Sequence, residues 1–390
     1  MTAKHTRDAE YSDEKPLAGT SRRSFLVGTG VAATATLVGT GQAGAARDDK
    51  HVICYYPRWA ESEGYPASDI PFDTITALNW AFLRPQSDGT VTLGFAAPED
   101  VQAVADNSDG ETDLLFSISG GWYPQEFSDA AATAENRERF AETAVDHVLD
   151  FGFDGIDLDW EYPDGTTHPD DPENFELLVE VLREELDARV GDDALLTLAA
   201  SPNPTTAGNA YLDGVFEDLD YVHVMNYDYH GDWDTETNFN APLHSEADSP
   251  LGGDWNVASH MEYWASRPIA NEDLVLGIPF YGRMFESVES PAKRGLYQAF
   301  DSAGAETYGT ITSEYEPNPH YNYFWHDVAE VPWLFDPRKK SRRFISYDDP
   351  RSVANKMQYV LDEGFGGAFC WELSQDPTDT LINVMHDELR

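Results

Sequence analysis

Short apolar runs alternate with amphipathic segments from residue 50 to the end of the chain. Eight of the runs predict strands, and most are nearly continuous in apolar residues, as parallel strands covered on both faces are. They lie at 51–56, 75–82, 114–119, 153–160, 195–200, 221–227, 274–280 and 366–371. Because helical segments fall between them, the pattern predicts an α/β fold of the (β/α)8 TIM barrel type.

The segment after the fourth predicted strand shows the helical pattern most clearly. Asp171 is the predicted cap, Pro172 lies in the first turn, and Gly191 ends the helix. Its apolar residues recur at helical spacing and form one stripe: Phe175, Leu178, Val179, Leu182 and Leu186. The stripe predicts a helix that packs one face against the barrel.

The regular alternation is interrupted between Tyr281 and Phe344. This stretch is too long for a single connection, and its many aromatic residues argue against a disordered loop. We therefore expect a barrel domain over 46–390, with an α+β insertion subdomain over 283–343 that follows the seventh strand and walls the mouth of the barrel.

The charge balance of the chain is strongly acidic. Its 390 residues hold 71 Asp and Glu against 25 Lys and Arg, a formal net charge of -46. Self-repulsion of this size opposes folding in dilute buffer, and halophilic proteins have such compositions. The composition predicts a halophilic protein of the haloarchaeal type, and the lack of a basic patch argues against nucleic acid as a partner.

The first 45 residues resemble a twin-arginine export signal. Arg22 and Arg23 precede a mildly apolar run, and the small residues Ala43-Gly44-Ala45 suit a cleavage site. The run is too short and too rich in Gly and Thr for a retained membrane anchor. We expect a secreted, monomeric protein with no membrane association after cleavage near Ala46.

Only two cysteines are present, Cys54 and Cys370. An exported protein permits a disulfide, but two buried free thiols are the favoured interpretation, since free cysteine behaves as a small apolar residue. Cys54 precedes Tyr55, and Cys370 precedes Trp371. If these two aromatic side chains face the barrel interior, both thiols lie on its outer face, on adjacent strands where the barrel closes.

The stretch "FDGIDLDWEYPDG" (153–165) places three carboxylates at alternate positions of a predicted strand, Asp157, Asp159 and Glu161. Because successive side chains of a strand point to opposite faces, these three acids share one face, which we expect to be the barrel interior. Glu161 comes last, at the rim where barrel active sites lie. Burial and like charge raise carboxyl pKa values, and a glutamic acid that stays protonated suits glycoside cleavage.

A metal site is the main rival interpretation of these acids. A calcium loop starting at Asp157 would need glycine at position six and glutamate at position twelve, where the chain has Tyr162 and His168. Another hard-cation site or a structural acid cluster is disfavoured, because unpaired interior charge is costly. We expect no metal and no cofactor.

"FDGIDLDWEYP" resembles the catalytic signature of family 18 glycoside hydrolases, the chitinases. The signature's Asp-x-x-Asp-x-Asp-x-Glu pattern is filled by Asp154, Asp157, Asp159 and Glu161. The resemblance extends to further segments of the chain: "FDTITALNWAF", "SGGW", "MNYDYHGDW", "GIPFYGR", "FISYDDPRS" and "GFGGAFCWELSQD". It implies a retaining hydrolase of β-1,4-linked N-acetylglucosamine, with chitin or chitooligosaccharides as the substrate and an endo action.

The resemblance also implies what individual residues would do in the reaction. Glu161 would be the general acid and base, and the substrate's acetamido oxygen would be the nucleophile. Asp159 would orient the acetamido group, Asp157 would share a proton or hydrogen bond with Asp159, and Tyr227 would bind the acetamido carbonyl. Met225 and Asp228 would belong to the same pocket.

Aromatic side chains are expected to stack on sugar rings. The candidates are Trp371 beneath the reacting sugar and, as cleft walls, Tyr55, Trp122 and Trp233; core packing is the alternative for each. His223 is expected to be a satisfied barrel residue. Two other functions stay open, an endo-β-N-acetylglucosaminidase that acts on N-glycans and a non-catalytic chitin-binding lectin of the same fold; the presence of Glu161 disfavours the lectin.

The charge balance predicts that salt stabilises the protein. At molar salt the Debye length falls to about 3 Å, and self-repulsion among the acids is screened. The melting temperature and the activity should therefore rise from dilute buffer into molar NaCl. A melting temperature that stays flat or falls over this range would contradict the prediction.

Overall fold

Eight parallel strands form a closed barrel in the computed structural model, which describes residues 50–119, 121–246, 249–250 and 252–390. The signal predicted over 1–45 lies outside the described residues. In chain order the first nine strands are β1 (His51–Pro57), β2 (Ala77–Pro85), β3 (Val91–Thr92), β4 (Asp113–Ser119), β5 (Gly155–Asp159), β6 (Leu195–Ala200), β7 (Tyr221–Val224), β8 (Leu274–Pro279) and β9 (Tyr281–Glu286). The last five are β10 (Ser302–Thr307), β11 (Asn322–His326), β12 (Val331–Asp336), β13 (Arg343–Ser346) and β14 (Gly367–Trp371).

The barrel is made of β1, β2, β4 to β8 and β14, and it closes because β1 pairs with both β14 and β2. These are the eight predicted strands, so the predicted barrel is confirmed. The strand bearing the carboxylates is shorter than predicted: β5 ends at Asp159, and Glu161 lies two residues beyond it. Strand β3 adds a short antiparallel pairing at the end of β2.

Except for α7, which belongs to the insertion, the helices cover the outside of the barrel. They are α1 (Pro98–Asn107), α2 (Pro124–Ala131), α3 (Ala134–Phe151), α4 (Asp171–Arg189), α5 (Pro204–Ala210), α6 (Val257–Ala265), the short α7 (Tyr308–Thr310), α8 (Pro350–Glu363) and α9 (Thr380–Leu389). The predicted apolar stripe of α4 is buried throughout. Its predicted cap is off by one residue: Asp170 is the cap, and Asp171 is the first helical residue, where it accepts hydrogen bonds from Ser128 and from the amide of His168.

The two faces of β5 separate as the period-two pattern predicts. Ile156, Leu158 and Trp160 join the core between strands and helices, where the Trp160 ring stacks on Phe127 with centroids 4.8 Å apart. The alternate residues point into the barrel, where a second apolar cluster includes Tyr55 and Phe369. The interior therefore holds polar groups from β5 among apolar groups from its neighbours.

The insertion after β8 is built around an antiparallel sheet with strand order β10-β9-β13-β12-β11. It runs from Tyr281 to Ser346, and α7 continues into a π-helical turn over Ile311–Tyr315. The sheet encloses its own apolar cluster around Phe285, Trp333 and Phe344. A single residue, Phe280, separates the end of β8 from the start of β9, so this sheet extends directly from the open end of the barrel.

The two cysteines lie opposite one another where the barrel closes. Cys54 of β1 pairs in register with Cys370 of β14, both are buried free thiols, and their sulfurs are 3.1 Å apart. Burial raises the pKa of Cys370 well above its ordinary value, which keeps that thiol protonated. Within the described ranges, no helix combines the length and the apolar character needed to cross a bilayer.

A buried ion pair joins the end of the insertion to α8. Lys356 Nζ contacts both carboxylate oxygens of Asp348 at 2.7 Å, and both side chains are almost fully buried. Ser352 also donates to Asp348. Burial lowers the pKa of Lys356, although the charge of Asp348 opposes that shift. Each charge therefore depends on the other for compensation.

Replacing one partner should be more destabilising than replacing both. Lys356→Met leaves Asp348 buried without a counter-charge, which should lower the free energy of unfolding by about 3 kcal/mol. The double variant Asp348→Asn/Lys356→Met should recover most of that loss. Denaturant unfolding at constant molar salt measures both; a Lys356→Met protein as stable as the wild type would contradict the analysis.

Candidate active site

A cavity of about 470 Å³ opens at the carboxyl ends of the barrel strands, under the insertion sheet. Eight residues predicted for the site line it: Tyr55, Trp122, Asp159, Glu161, Met225, Tyr227, Asp228 and Trp371. Asp157 lies below the cavity floor and is fully buried. Trp233 is not part of the lining; it is 56% exposed, and the Arg283 guanidinium lies 5.1 Å from its ring centroid.

Asp157 is surrounded by side chains from four other strands of the barrel: β1, β4, β6 and β7. Its Oδ2 accepts hydrogen bonds from Tyr55 (2.8 Å) and Ser117 (2.7 Å), and its Oδ1 accepts one from Thr197 (2.6 Å). His223 Nδ1 lies 3.3 Å from the same Oδ1. Burial by itself would raise the pKa of Asp157, but His223, Thr197 and Ser117 together hold that pKa below its usual value. Asp157 is therefore the ionised carboxylate of the barrel interior.

Asp159, two residues further along β5, has the opposite environment. Burial, followed by the charges of Glu161 and Asp157, raises its pKa well above the usual carboxyl range. Its Oδ1 is buried and has no hydrogen-bond partner among the described residues. Two carboxyl groups on the same face of β5 thus differ in protonation, because protein donors surround the lower one and not the upper one.

Glu161 lies at the rim, just beyond β5. Burial raises its pKa, and the charge of Asp228 adds to the shift, while hydrogen bonds from Tyr162 and from the backbone amide of Gly121 oppose it. A Cβ at position 121 would lie 3.1 Å from Glu161 Oε1, so glycine permits this close approach. The carboxyl group faces the cavity and favours the protonated form at a higher pH than an exposed glutamate does.

The opposite wall joins the loop after β7 to the insertion. Asp228 adopts a left-handed backbone (φ 58°) and accepts hydrogen bonds from Tyr281 (2.6 Å) and from Arg283 Nε (3.0 Å). Tyr227 lines the cavity beside it, and burial raises the pKa of its hydroxyl well above the ordinary value. Tyr227 is therefore a neutral hydrogen-bond donor, and Asp228 is held by partners from β9.

Trp371 forms the aromatic floor of the cavity. Its ring stacks on Phe82 with centroids 5.7 Å apart and contacts Tyr55 and Trp59 at 5.6 and 6.4 Å. Trp122 stands beside this group, 59% exposed, with its ring at an angle to those of Phe82 and Trp59. An apolar floor with polar walls suits a sugar, whose faces are apolar and whose edges carry hydroxyls.

Several residues at the site were not identified from the sequence. Ser117 and Thr197 are directly opposite Asp157 on β4 and β6, a register that only strand pairing reveals. Other residues come from separate parts of the chain: Trp59, Phe82, Tyr281, Arg283, Glu306 and Gln375. For Arg283 a signal was available, because it ends the "GIPFYGR" segment.

His223 was expected to be a satisfied barrel residue, and that expectation is wrong for one of its nitrogens. Nδ1 faces Asp157 and the hydroxyl of Tyr55, both at 3.3 Å, but the buried Nε2 has no hydrogen-bond partner in the ranges that the structure describes. No cluster of three or more potential metal-ligating His, Cys, Asp or Glu side chains occurs in the described part of the chain.

Comparison with known proteins gives a consistent result. The family profile described as glycosyl hydrolases family 18 matches residues 51–376. Chitinase A1 of Niallia circulans is 33% identical over 415 residues, covering 88% of this chain and 59% of the relative. Chitinase 1 of Aphanocladium album is 28% identical, covering 86% of this chain and 84% of the relative. The chain thus spans less than two thirds of the first of these relatives.

A solved structure has the same architecture. The Group IV chitinase of Ostrinia furnacalis, in complex with allosamidin, aligns with a TM-score of 0.80 and 28% identity. The alignment covers 87% of this chain and 98% of that one. It includes nearly all of the described residues, so the barrel and the insertion are shared as a unit.

The charge of Asp157 should make stability depend on pH in a defined direction. Because its pKa is lowered in the folded protein, its contribution to stability is present above the ordinary carboxyl pKa and is lost as the pH falls through the folded value. Asp157→Asn should therefore lower the free energy of unfolding by about 2 kcal/mol at pH 7, and by less at the lowest pH at which both proteins remain folded, well below the ordinary carboxyl pKa.

The measurement is denaturant unfolding of both proteins at constant molar salt. Asp193→Asn, a change at an exposed residue, is the matched control and should show no such pH-dependent difference. Equal destabilisation by Asp157→Asn at both pH values would show that the donors around Asp157 do not stabilise its charge.

Proposed function

Because the chain belongs to glycosyl hydrolase family 18, a family of enzymes that cleave glycosidic bonds, we propose that it is an endo-acting chitinase. It would hydrolyse β-1,4 linkages between N-acetylglucosamine units with retention of configuration. The observation that carries the proposal is a rim glutamic acid of raised pKa, Glu161, which faces a cavity floored by Trp371. This combination supplies a proton donor beside a surface on which a sugar ring can stack.

The neighbouring acids favour a nucleophile supplied by the substrate. A two-carboxylate retaining mechanism needs an ionised nucleophile opposite the acid, and family 18 is an exception to that scheme. Asp159 favours its protonated form, and Asp228 is held by Tyr281 and Arg283. Neither is a free anion, which is consistent with attack by the 2-acetamido oxygen of the bound sugar.

In the first step, Glu161 gives its proton to the glycosidic oxygen as the bond to the anomeric carbon breaks. The acetamido oxygen attacks that carbon and forms an oxazolinium ion. In the second step, Glu161, now a carboxylate, takes a proton from water, and the water oxygen opens the ring from the face that the leaving group vacated. Two displacements give net retention and return Glu161 to its acid form.

The remaining site residues would hold the acetamido group in its attacking position. Asp159 Oδ1, which is buried and has no hydrogen-bond partner within the described part of the chain, is available to accept the acetamido N–H. Tyr227, kept neutral by its raised pKa, would donate to the acetamido carbonyl. Asp157 would act from below by holding charge next to Asp159, and its lowered pKa favours a split of protonation between the two acids. Positioning of this kind lowers the entropic barrier to reaction.

We further propose that residues 1–45 direct secretion by the twin-arginine pathway and that 46–390 form the catalytic unit, with 283–343 as its insertion. The family match beginning at residue 51 supports a catalytic unit that starts after the apolar run. We also propose a monomer adapted to a saline medium, which the net charge of -46 supports.

The role of Glu161 as the general acid is tested by replacing its carboxyl group with an amide. Glu161→Gln should lower the hydrolysis rate of soluble chitin oligosaccharides by about 10² to 10⁴-fold and leave their binding intact. Because the pKa of Glu161 is raised, wild-type kcat/KM should persist to a higher pH than an ordinary carboxyl allows and then fall as pH rises. Glu135→Gln, on the exposed surface of α3, is the matched control.

Equal turnover by Glu161→Gln and wild type would discard the proposed acid. Initial products of inverted anomeric configuration, measured by NMR, would discard substrate assistance. Release of sugar from N-glycoproteins but not from chitin oligosaccharides would favour the endo-β-N-acetylglucosaminidase, and binding without turnover by the wild type would favour the lectin.

A further inference from the structure

A second cavity of about 400 Å³ lies beside the first, and the two share Phe82 and Trp122 as walls. Its far side is formed by Arg58, Arg84, Phe95 and Tyr123, a group that we call the arginine arm. Because the cavities share walls, a chain of sugars stacked on Trp371 and passing Trp122 would reach this arm.

The arm differs in charge from the catalytic cavity. The catalytic cavity is lined by the four acids Asp159, Glu161, Asp228 and Glu306 with one arginine, Arg283. The second cavity is lined by two arginines and one acid, Glu63. In a chain of 71 acidic and 25 basic residues, two arginines facing one cavity are an unusual local excess of positive charge.

The positive charge of the arm is only partly compensated. No ion pair of Arg58 occurs within the part of the chain that the structure describes. Arg84 contacts Glu126 at 3.4 Å, and its Nε is buried with no hydrogen-bond partner from the described segments. The exposed Arg58 guanidinium, which lines the second cavity, therefore offers N–H donors to a ligand.

An exposed aromatic ring stands between the two guanidinium groups. Phe95 is 72% exposed, and the Arg58 and Arg84 Cζ atoms lie 5.6 and 5.9 Å from its ring centroid. Arg84 also lies 4.2 Å from the ring centroid of Tyr123. These cation–π contacts restrain the guanidinium groups while the ring of Phe95 remains open for stacking.

We propose that the arginine arm binds a distal sugar of the same polymer and selects N-acetylglucosamine over deacetylated glucosamine at that position. The proposal rests on the proposed function. A neutral acetamido group can accept hydrogen bonds from the arginines, whereas the ammonium group of glucosamine offers them only like charge and more donors. The arm thus sets how partial deacetylation of the polymer affects binding.

Salt limits how strongly charge repulsion at the arm can distinguish glucosamine from N-acetylglucosamine. Near 5 Å in water the repulsion between unit charges is modest, and molar salt screens it further, because the Debye length is about 3 Å. Most of the selection therefore comes from the hydrogen bond that an acetamido oxygen accepts from an arginine and an ammonium group cannot accept, and its loss predicts about fivefold weaker binding for a glucosamine at the arm. The amine loses its charge in mildly alkaline buffer, so the difference should decrease there.

The test uses Glu161→Gln protein, which should bind without cleaving, and calorimetric titration at constant molar salt and mildly acidic pH. The probes are the fully acetylated hexasaccharide and two isomers with a single glucosamine at one or the other end. One isomer should bind about fivefold more weakly than the acetylated probe, and the other should bind equally. Adding Arg58→Gln and Arg84→Gln should reduce the difference to less than twofold.

Arg139→Gln, which removes an arginine paired with Glu135 on α3, is the matched control and should leave the selection unchanged. Should the double substitution disturb folding, Arg58→Gln alone tests the arm, since that side chain has no ion pair to lose among the described residues. Equal binding of all three probes, or selection that survives both substitutions, overturns the proposal and leaves the chitinase function intact. A wild type that neither binds nor cleaves the acetylated probe overturns the proposed function itself.

Discussion

The site depends on one buried charge, the carboxylate of Asp157 in the barrel interior. Burial of an ion is costly unless protein groups replace the water around it, and here Tyr55, Ser117, Thr197 and His223 do so from four strands. With that charge fixed below them, Asp159 and Glu161 are the groups that favour protonation. Asp157 is ionised and Asp159 favours its protonated form because the hydrogen-bond donors of the other strands contact the carboxyl group of Asp157 and not that of Asp159.

The barrel and the insertion contribute different parts of the same cavity. Strand β5 supplies the acids and β14 supplies the aromatic floor, while the insertion sheet supplies Tyr281 and Arg283, which hold Asp228 in place. Without these partners, Asp228 would be a free carboxylate facing Glu161. The insertion therefore controls the charge of the cavity as well as its depth, because its arginine neutralises the wall opposite the acid.

Charge is distributed unevenly around this cleft. The chain as a whole is acidic, yet three of its arginines lie along the two adjoining cavities, one beside the acids and two in the arm. High salt weakens long-range attraction and repulsion but leaves contacts at hydrogen-bond distance largely intact. Recognition in such a protein is expected to rely on direct contacts and stacking, which Phe95, Trp122 and Trp371 provide.

The sequence by itself determined the eight strands, the inward face of Asp157 and Asp159, and the outward face of Trp160. Apolar runs and period two are local properties that do not depend on the partner strand. Only the tertiary structure decided that Ser117 and Thr197 face Asp157, that His223 Nε2 has no partner among the residues described, and that Arg283 reaches Asp228. It also placed Trp233 outside the cavity lining and Arg58 and Arg84 around Phe95. These outcomes depend on strand register and loop path, which bring together residues far apart in the chain and which no local pattern encodes.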